Sequence, residues 1–166
     1  KLKKAEDRIE WVSWANDFRI LISASYSQNL HGERIRVHRL FAIDRTGQGL
    51  EEIKRKTARK PLDSHRWWNT DTVLSFLPRS PDFILMQLYD DQDDAVAVFK
   101  VDVTRNRFDK QFVNNYKVDR WYADTHGNVT FGVGWEKGIQ TTWYRRQGSK
   151  DFEKINTRTM FQDEVF

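Results

Sequence analysis

Short hydrophobic runs with the period of β-strands dominate this 166-residue chain, and helical stripes are absent from its pattern. The runs are β-branched or aromatic and are bounded by Gly, Asn, Asp or Pro, which is typical of strands separated by turns. Only residues 51–60 have a composition that suits a helix. Because they lack a sustained apolar stripe, a short strand followed by a charged loop is predicted there. The clearest strand-like runs cover residues 18–22, 39–44, 73–77, 83–88 and 95–102.

The order of strands and turns repeats along the chain. The run that ends at Asp44 matches the run that ends at Asp102, and Asp17 and Asp82 align just before the preceding runs. The first unit differs by a longer hairpin loop, predicted at residues 25–36. Each unit predicts four antiparallel strands, which is the content of one propeller blade. The blade-like units run from about 9–60, 71–115 and 117–157.

The predicted fold class is therefore all-β, with about three four-stranded antiparallel blades of an incomplete β-propeller in a single partial domain over residues 1–166. One sheet cannot cover both of its faces, so neighbouring blades are expected to bury aromatic and branched side chains between them. Three blades do not close a ring, so self-association through the open blade faces is expected. The tryptophans predicted to lie in the blade-to-blade core are Trp11, Trp14, Trp121 and Trp143.

Several motifs point to a family. The chain contains IEWVSWAND at residues 9–17, RLFAID at 39–44, LPRSPD at 77–82 and VFKVD at 98–102. In this order they resemble the N-terminal propeller of bacterial members of the prolyl oligopeptidase family of serine peptidases. The resemblance implies a parent protein in which the propeller lies over an α/β-hydrolase domain and limits which peptide substrates reach its active site. The alternative is a stand-alone propeller-type module that binds proteins or carbohydrates.

Catalytic motifs are missing from the chain itself. A hydrolase nucleophile needs Gly-x-Ser-x-Gly between a strand and a helix, and no such segment occurs. Cysteine is absent, which removes thiolate nucleophiles, disulfides and Cys-based metal sites. The chain is therefore predicted not to be an enzyme and is assigned no catalytic residue, metal or cofactor. Its parent is expected to be a serine peptidase whose catalytic residues lie in the hydrolase domain.

Three polar features are weighed as ligand sites. His31 and His38 flank the long first loop, but no third ligand accompanies them as a zinc site would need. The aspartates of residues 90–94 are compared with a calcium loop, but they lack its Gly and terminal Glu, so a solvated hairpin end is preferred. The glycines of residues 132–138 precede no helix, so a hairpin loop is preferred to a phosphate loop.

The candidate interface is Arg66 with Trp67 and Trp68, between the first two units. Exposed aromatic residues and arginine are enriched at interfaces, whereas the alternative is a loop packed onto the blade. The net charge is +4, but 28 basic residues are interleaved with 24 acidic ones, so no nucleic-acid partner is predicted. No run of 18 apolar residues occurs, so no membrane-spanning segment is predicted either.

Overall fold

The fold is all-β in a computed structural model that describes residues 7–30, 32–55 and 68–159. These residues form three sheets and no helix, so none of them belongs to a helix able to span a membrane. Sheet 1 contains β1 (Arg8–Trp14), β2 (Arg19–Leu30), β3 (Glu33–Asp44), β4 (Glu51–Glu52) and β5 (Asn69–Thr70). Sheet 2 contains β6 (Val73–Ser75), β7 (Phe83–Asp90), β8 (Ala95–Asp102) and β9 (Arg107–Lys110). Sheet 3 contains β10 (Arg120–Ala123), β11 (Val129–Glu136), β12 (Ile139–Tyr144) and β13 (Glu153–Thr159).

Each sheet has four antiparallel strands in chain order, which confirms the predicted strand content of the repeat. Sheet 1 has one addition, because β5 pairs with β3 in parallel through His38 and Arg39. The predicted short strand within residues 51–60 is β4. Residues 56–60, which complete the predicted charged loop, lie outside the described part of the chain.

The prediction of a long loop at residues 25–36 is wrong. Strands β2 and β3 pair continuously from Arg19 and Asp44 to Leu30 and Glu33, so this segment is a strand hairpin. Gly32, with φ of +87°, supplies the left-handed conformation for its turn. Polar residues conceal the strand pattern here; one of them, Ser25, accepts a hydrogen bond from Arg36 Nη1 at 2.7 Å.

The structural register also corrects the alignment of the repeat by one residue. Arg19 pairs with Asp44 as Phe83 pairs with Asp102, so Arg19 and Phe83 are equivalent positions. Asp17 and Asp82, which the sequence pattern aligned, are therefore not equivalent. The loops before β2 and β7 differ in length. The sequence alignment matched residues of these two loops, whereas the structural equivalence is set by the pairing of the strands.

Two apolar layers hold the three sheets together. Sheet 2 contributes to both, which explains why both alternating sets of β7 residues are buried. The layer between sheets 1 and 2 is built mainly from Leu21, Leu40, Ala42, Ile53, Ile84, Met86, Phe99 and Val101. The layer between sheets 2 and 3 is built mainly from Leu85, Val98, Val118, Trp121, Val129 and Phe152.

Polar contacts reinforce the second layer. The Trp121 backbone N–H donates to Gln87 Oε1 at 2.8 Å, and Trp121 Nε1 donates to the Val96 carbonyl at 2.9 Å. Trp121 is thus core, as predicted, and Trp11 and Trp143 pack against the two layers. The prediction for Trp14 is wrong, since 58% of this residue is exposed.

The glycines at 132 and 134 lie inside strand β11 rather than in the predicted hairpin loop. Gly132 faces Trp121 and Val118, where a Cβ would come within 2.8 Å of each side chain. A Cβ on Gly134 would lie 2.1 Å from the Lys117 carbonyl oxygen. These glycines therefore let sheet 3 approach the segment that precedes it.

Gly134→Ala is expected to lower the free energy of unfolding by about 1–3 kcal/mol, because backbone must move to admit the methyl group. Urea denaturation of the purified chain would measure this loss. Gly138→Ala is the matched control, because its added Cβ meets open space and only its φ of +78° opposes the change. If both variants lost the same free energy of unfolding, the contact between Gly134 and the Lys117 carbonyl would not be tight enough to exclude a methyl group.

Candidate functional site

The acidic residues that follow β7 converge on two cations of the same chain. Asp90 is fully buried at the end of the strand. Arg55 Nη2 lies 2.9 Å from Asp90 Oδ1, and Lys110 Nζ lies 2.6 Å from Asp90 Oδ2. Arg55 Nη2 also lies 3.3 Å from Asp91 Oδ1, while Lys110 Nζ lies 2.8 Å from Asp93 Oδ2. We call these five residues the ion cluster.

The ion cluster changes both sequence interpretations of this segment. The hairpin end is not solvated at Asp90, which lies in the protein interior. The oxygens that a calcium ion would need are already occupied by Arg55 and Lys110. Among residues 7–30, 32–55 and 68–159, no group of three or more His, Cys, Asp or Glu is placed to hold a metal ion. The cluster is therefore a structural contact, in which Arg55 joins sheet 1 to sheet 2.

The pKa values of the cluster follow from its contacts. Burial opposes the charge on Asp90, but bonds from Lys110, the Gln92 N–H and Arg55 outweigh it. The pKa of Asp90 is therefore lowered. Burial also opposes the charge on Lys110, but its bonds to Asp90 and Asp93 outweigh this, and the pKa of Lys110 is raised. Both groups are held in their charged forms.

A serine, a histidine and an aspartate meet on the inner side of sheet 1. Ser23 Oγ donates to Asp71 Oδ2 at 2.6 Å, and His38 Nδ1 lies 3.5 Å from the same oxygen. A nucleophilic triad needs the histidine between the serine and the carboxylate so that it can take the hydroxyl proton. Here Asp71 is in the middle and Ser23 is fully buried. The arrangement cannot activate Ser23 and serves to hold β2, β3 and residue 71 together.

This contact was not found in the sequence, because Ser23 and Asp71 are far apart and neither belongs to a motif. His38, weighed as a zinc ligand, has Asp71 as its neighbour, and His31 lies outside the described residues. A cavity of about 530 Å³ opens beside the contact. Its lining consists of Trp11, Val12, Ser13, Asp71, Thr72, Val73 and Phe76.

The candidate interface is described only at Trp68, because Arg66 and Trp67 fall outside the described residues. Trp68 is half-buried, and its carbonyl accepts a hydrogen bond from the His38 N–H at 2.6 Å. This contact lies immediately before β5 and joins Trp68 to β3. The interface of Arg66, Trp67 and Trp68 stays a prediction.

A second cavity, of about 630 Å³, lies between sheets 2 and 3, where three loops meet. We call it the acidic groove; it is lined by Tyr89, Asp93, Asp94, Ala95, Val96, Asn114, Lys117, Val118, Asp119, Trp135 and Glu136. Asp119 Oδ2 accepts a hydrogen bond from the Trp135 N–H at 2.7 Å. Glu136 Oε1 lies 2.5 Å from Lys117 Nζ. The groove combines carboxylates with a tryptophan that is 49% exposed, and no single sequence motif contains these residues.

Comparison with known proteins adds no family or fold assignment. No protein-family model, curated protein or solved structure matches this chain. The resemblance to the prolyl oligopeptidase family stays a prediction based on the sequence motifs.

Proposed function

We propose that this chain is a three-blade segment of a β-propeller, with a binding and scaffolding role and no reaction centre of its own. The observation that carries the proposal is the packing of three successive four-stranded sheets through two apolar layers. The first strands of sheets 2 and 3, β6 and β10, lie side by side, as the inner strands of adjacent blades do. Ser75 Oγ also donates to the Thr125 carbonyl at 3.2 Å, next to these strands.

The polar clusters of the described residues support a non-catalytic role. Asp90 is held in ion pairs with Arg55 and Lys110, and the hydroxyl of Ser23 is committed to Asp71. In a peptidase of the prolyl oligopeptidase type, the reaction would belong to an α/β-hydrolase domain. The propeller segment would then control which peptide substrates reach that domain.

An active-site-directed serine probe on the full-length parent protein tests this proposal. The parent is expected to react with a fluorophosphonate, to cleave a short chromogenic peptide and to leave a folded protein substrate intact. Peptide mapping should place the labelled serine outside residues 1–166. A label on Ser23 would overturn the non-catalytic role, and a parent that neither reacts nor cleaves would overturn the peptidase assignment.

The acidic groove favours a second function, a module that binds carbohydrates. Carboxylates accept hydrogen bonds from sugar hydroxyls, and an exposed tryptophan offers a flat apolar surface to a sugar ring. Asp119, Glu136 and Trp135 supply these groups at one place.

A glycan array with the purified chain would test the carbohydrate function. A specific glycan is expected to bind, and Trp135→Ala is expected to weaken that binding by at least about tenfold. Trp14→Ala is the control, because Trp14 is similarly exposed but lies on sheet 1, away from the groove. Absence of any specific glycan, or equal weakening by both variants, would contradict the carbohydrate function.

A further inference from the structure

One carboxylate lines the cavity of about 530 Å³ between β1 and residues 71–76, which we call the Asp71 cavity. The Asp71 side chain is only 13% exposed. Its Oδ2 accepts the Ser23 hydroxyl at 2.6 Å and lies 3.5 Å from His38 Nδ1. The other oxygen, Oδ1, has no hydrogen-bond or ion-pair partner among the described residues. Asp71 therefore retains an unused acceptor at the cavity.

The negative charge of Asp71 is not balanced within the cavity. Ser23 is neutral, and His38 is positively charged only when it is protonated. No lysine or arginine of the described residues lines the cavity. A carboxylate that is largely removed from water is unfavourable unless a positive charge and hydrogen bonds accompany it. The Asp71 cavity therefore favours a positively charged ligand over a neutral or negatively charged one.

The walls of the cavity suit an organic cation rather than a metal ion. The Trp11 and Phe76 rings meet edge to face at 6.5 Å, and both line the cavity. Aromatic rings attract a cation over their faces and offer apolar surface to its carbon groups. A calcium ion would need roughly six to eight oxygen ligands. In the part of the chain that the structure describes, no group of three or more His, Cys, Asp or Glu could hold a metal ion.

Two hydroxyl groups complete the polar part of the cavity. Ser13 and Thr72 line it together with Asp71. A protonated primary amine has three N–H donors, and one carboxylate with two hydroxyl oxygens can accept all of them. A quaternary ammonium ion has no N–H to donate. The acceptors of the Asp71 cavity therefore match a primary amine better than a quaternary ammonium ion.

We propose that the Asp71 cavity binds a protonated primary amine carried on an apolar chain or ring. Asp71 Oδ1 accepts an N–H of the ammonium group, and the Trp11 and Phe76 rings pack against the carbon part. The hydrogen bond from Ser23 fixes the carboxylate before the ligand arrives, so little side-chain freedom is lost on binding. The site goes beyond the proposed function and does not depend on it, because all of its residues come from sheets 1 and 2 and the segment between them.

Three small probes of similar shape test the preference for an amine. Phenethylamine is a cation at neutral pH, phenethyl alcohol is neutral and phenylacetate is an anion. In an NMR titration of the isotope-labelled purified chain, phenethylamine is expected to shift the Trp11 indole N–H and the amides of residues 71–73, with a dissociation constant of about 1 mM. Phenethyl alcohol is expected to bind at least about tenfold more weakly, because it makes no charge-assisted hydrogen bond with Asp71. Phenylacetate should leave these signals unchanged.

A matched pair of variants tests the role of the carboxylate. Asp71→Asn keeps the shape of the side chain and an oxygen for the Ser23 hydroxyl, but it removes the charge. It is expected to weaken phenethylamine binding by at least about tenfold. The affinity for phenethyl alcohol should stay the same. Asp109→Asn is the control, because Asp109 is half exposed on β9 and does not line the cavity, so this variant should bind phenethylamine like the unaltered chain.

Three results would overturn the amine site. The first is that phenethylamine shifts no signal of Trp11 or of residues 71–73. The second is equal affinity for the amine and the alcohol, which would show an apolar cavity that does not recognise charge. The third is equal affinity of phenethylamine for the unaltered chain and for Asp71→Asn with a cooperative thermal transition, which shows that the variant is folded. If Asp71→Asn does not fold, the comparison of the three probes on the unaltered chain decides.

Discussion

Trp121→Ala is expected to lower the free energy of unfolding by about 3–5 kcal/mol, the range for removing a buried tryptophan side chain. Trp121 is 1% exposed, and its ring lies 5.0 Å from that of Phe112 and 4.9 Å from that of Phe152. Its indole N–H also donates to the Val96 carbonyl, so the variant loses an inter-sheet hydrogen bond with the packing. Urea denaturation followed by tryptophan fluorescence and circular dichroism would measure the loss.

Two further variants show which part of Trp121 matters. Trp121→Phe keeps most of the ring but removes the donor, so its loss should be well below that of Trp121→Ala. Trp135→Ala removes the same side chain from a half-exposed position and should cost less than about 1 kcal/mol. If Trp121→Ala and Trp135→Ala lowered the free energy of unfolding equally, the stability of the layer between sheets 2 and 3 would not depend on Trp121.

Asp90→Ala is expected to lower the free energy of unfolding by about 1–3 kcal/mol, because it removes the fully buried carboxylate and leaves Arg55 only Asp91 and Lys110 only Asp93. Asp109→Ala is the control, since the Asp109 side chain is half exposed and its pair with Arg107 is a surface contact. The control should lose less than about 1 kcal/mol. Similar losses for both aspartates would contradict the structural role of the ion cluster.

The pH dependence of stability provides an independent measurement on the same group. The pKa of Asp90 is lowered in the folded chain, so its contribution is present above the unfolded aspartate value of about 3.9. This contribution is lost as the pH falls through the folded pKa. The pKa of Lys110 is raised, so its contribution is present below about 10.4 and is lost as the pH rises through the folded pKa. Asp90→Asn should therefore flatten the acid limb of the stability profile, and an unchanged acid limb would contradict the assignment.

Local pattern was enough to predict the strands of sheet 2. Strands β7 and β8 combine branched and aromatic runs with turn residues at both ends, and these signals depend only on neighbours in the chain. The hairpin of β2 and β3 was missed because its outer half is rich in polar residues. Strand β5 was missed because two residues, Asn69 and Thr70, carry no pattern of their own.

The residues of the ion cluster and of the Ser23–Asp71 contact could not be identified from local sequence pattern. Asp90 resembled a surface loop residue, and its partners Arg55 and Lys110 come from the connection after β4 and from β9. Ser23 and Asp71 likewise meet only when β2 and the residue after β5 are brought together. In both cases the folded chain decides whether a carboxylate faces water or an internal partner.

The repeated antiparallel strands could be predicted from the order of residues alone, because strand period and turn chemistry are local properties of the chain. Which faces are covered, which charges are paired and where cavities open became clear only in the folded chain. Those features depend on residues from different sheets, and their positions follow from how the sheets pack rather than from spacing along the chain.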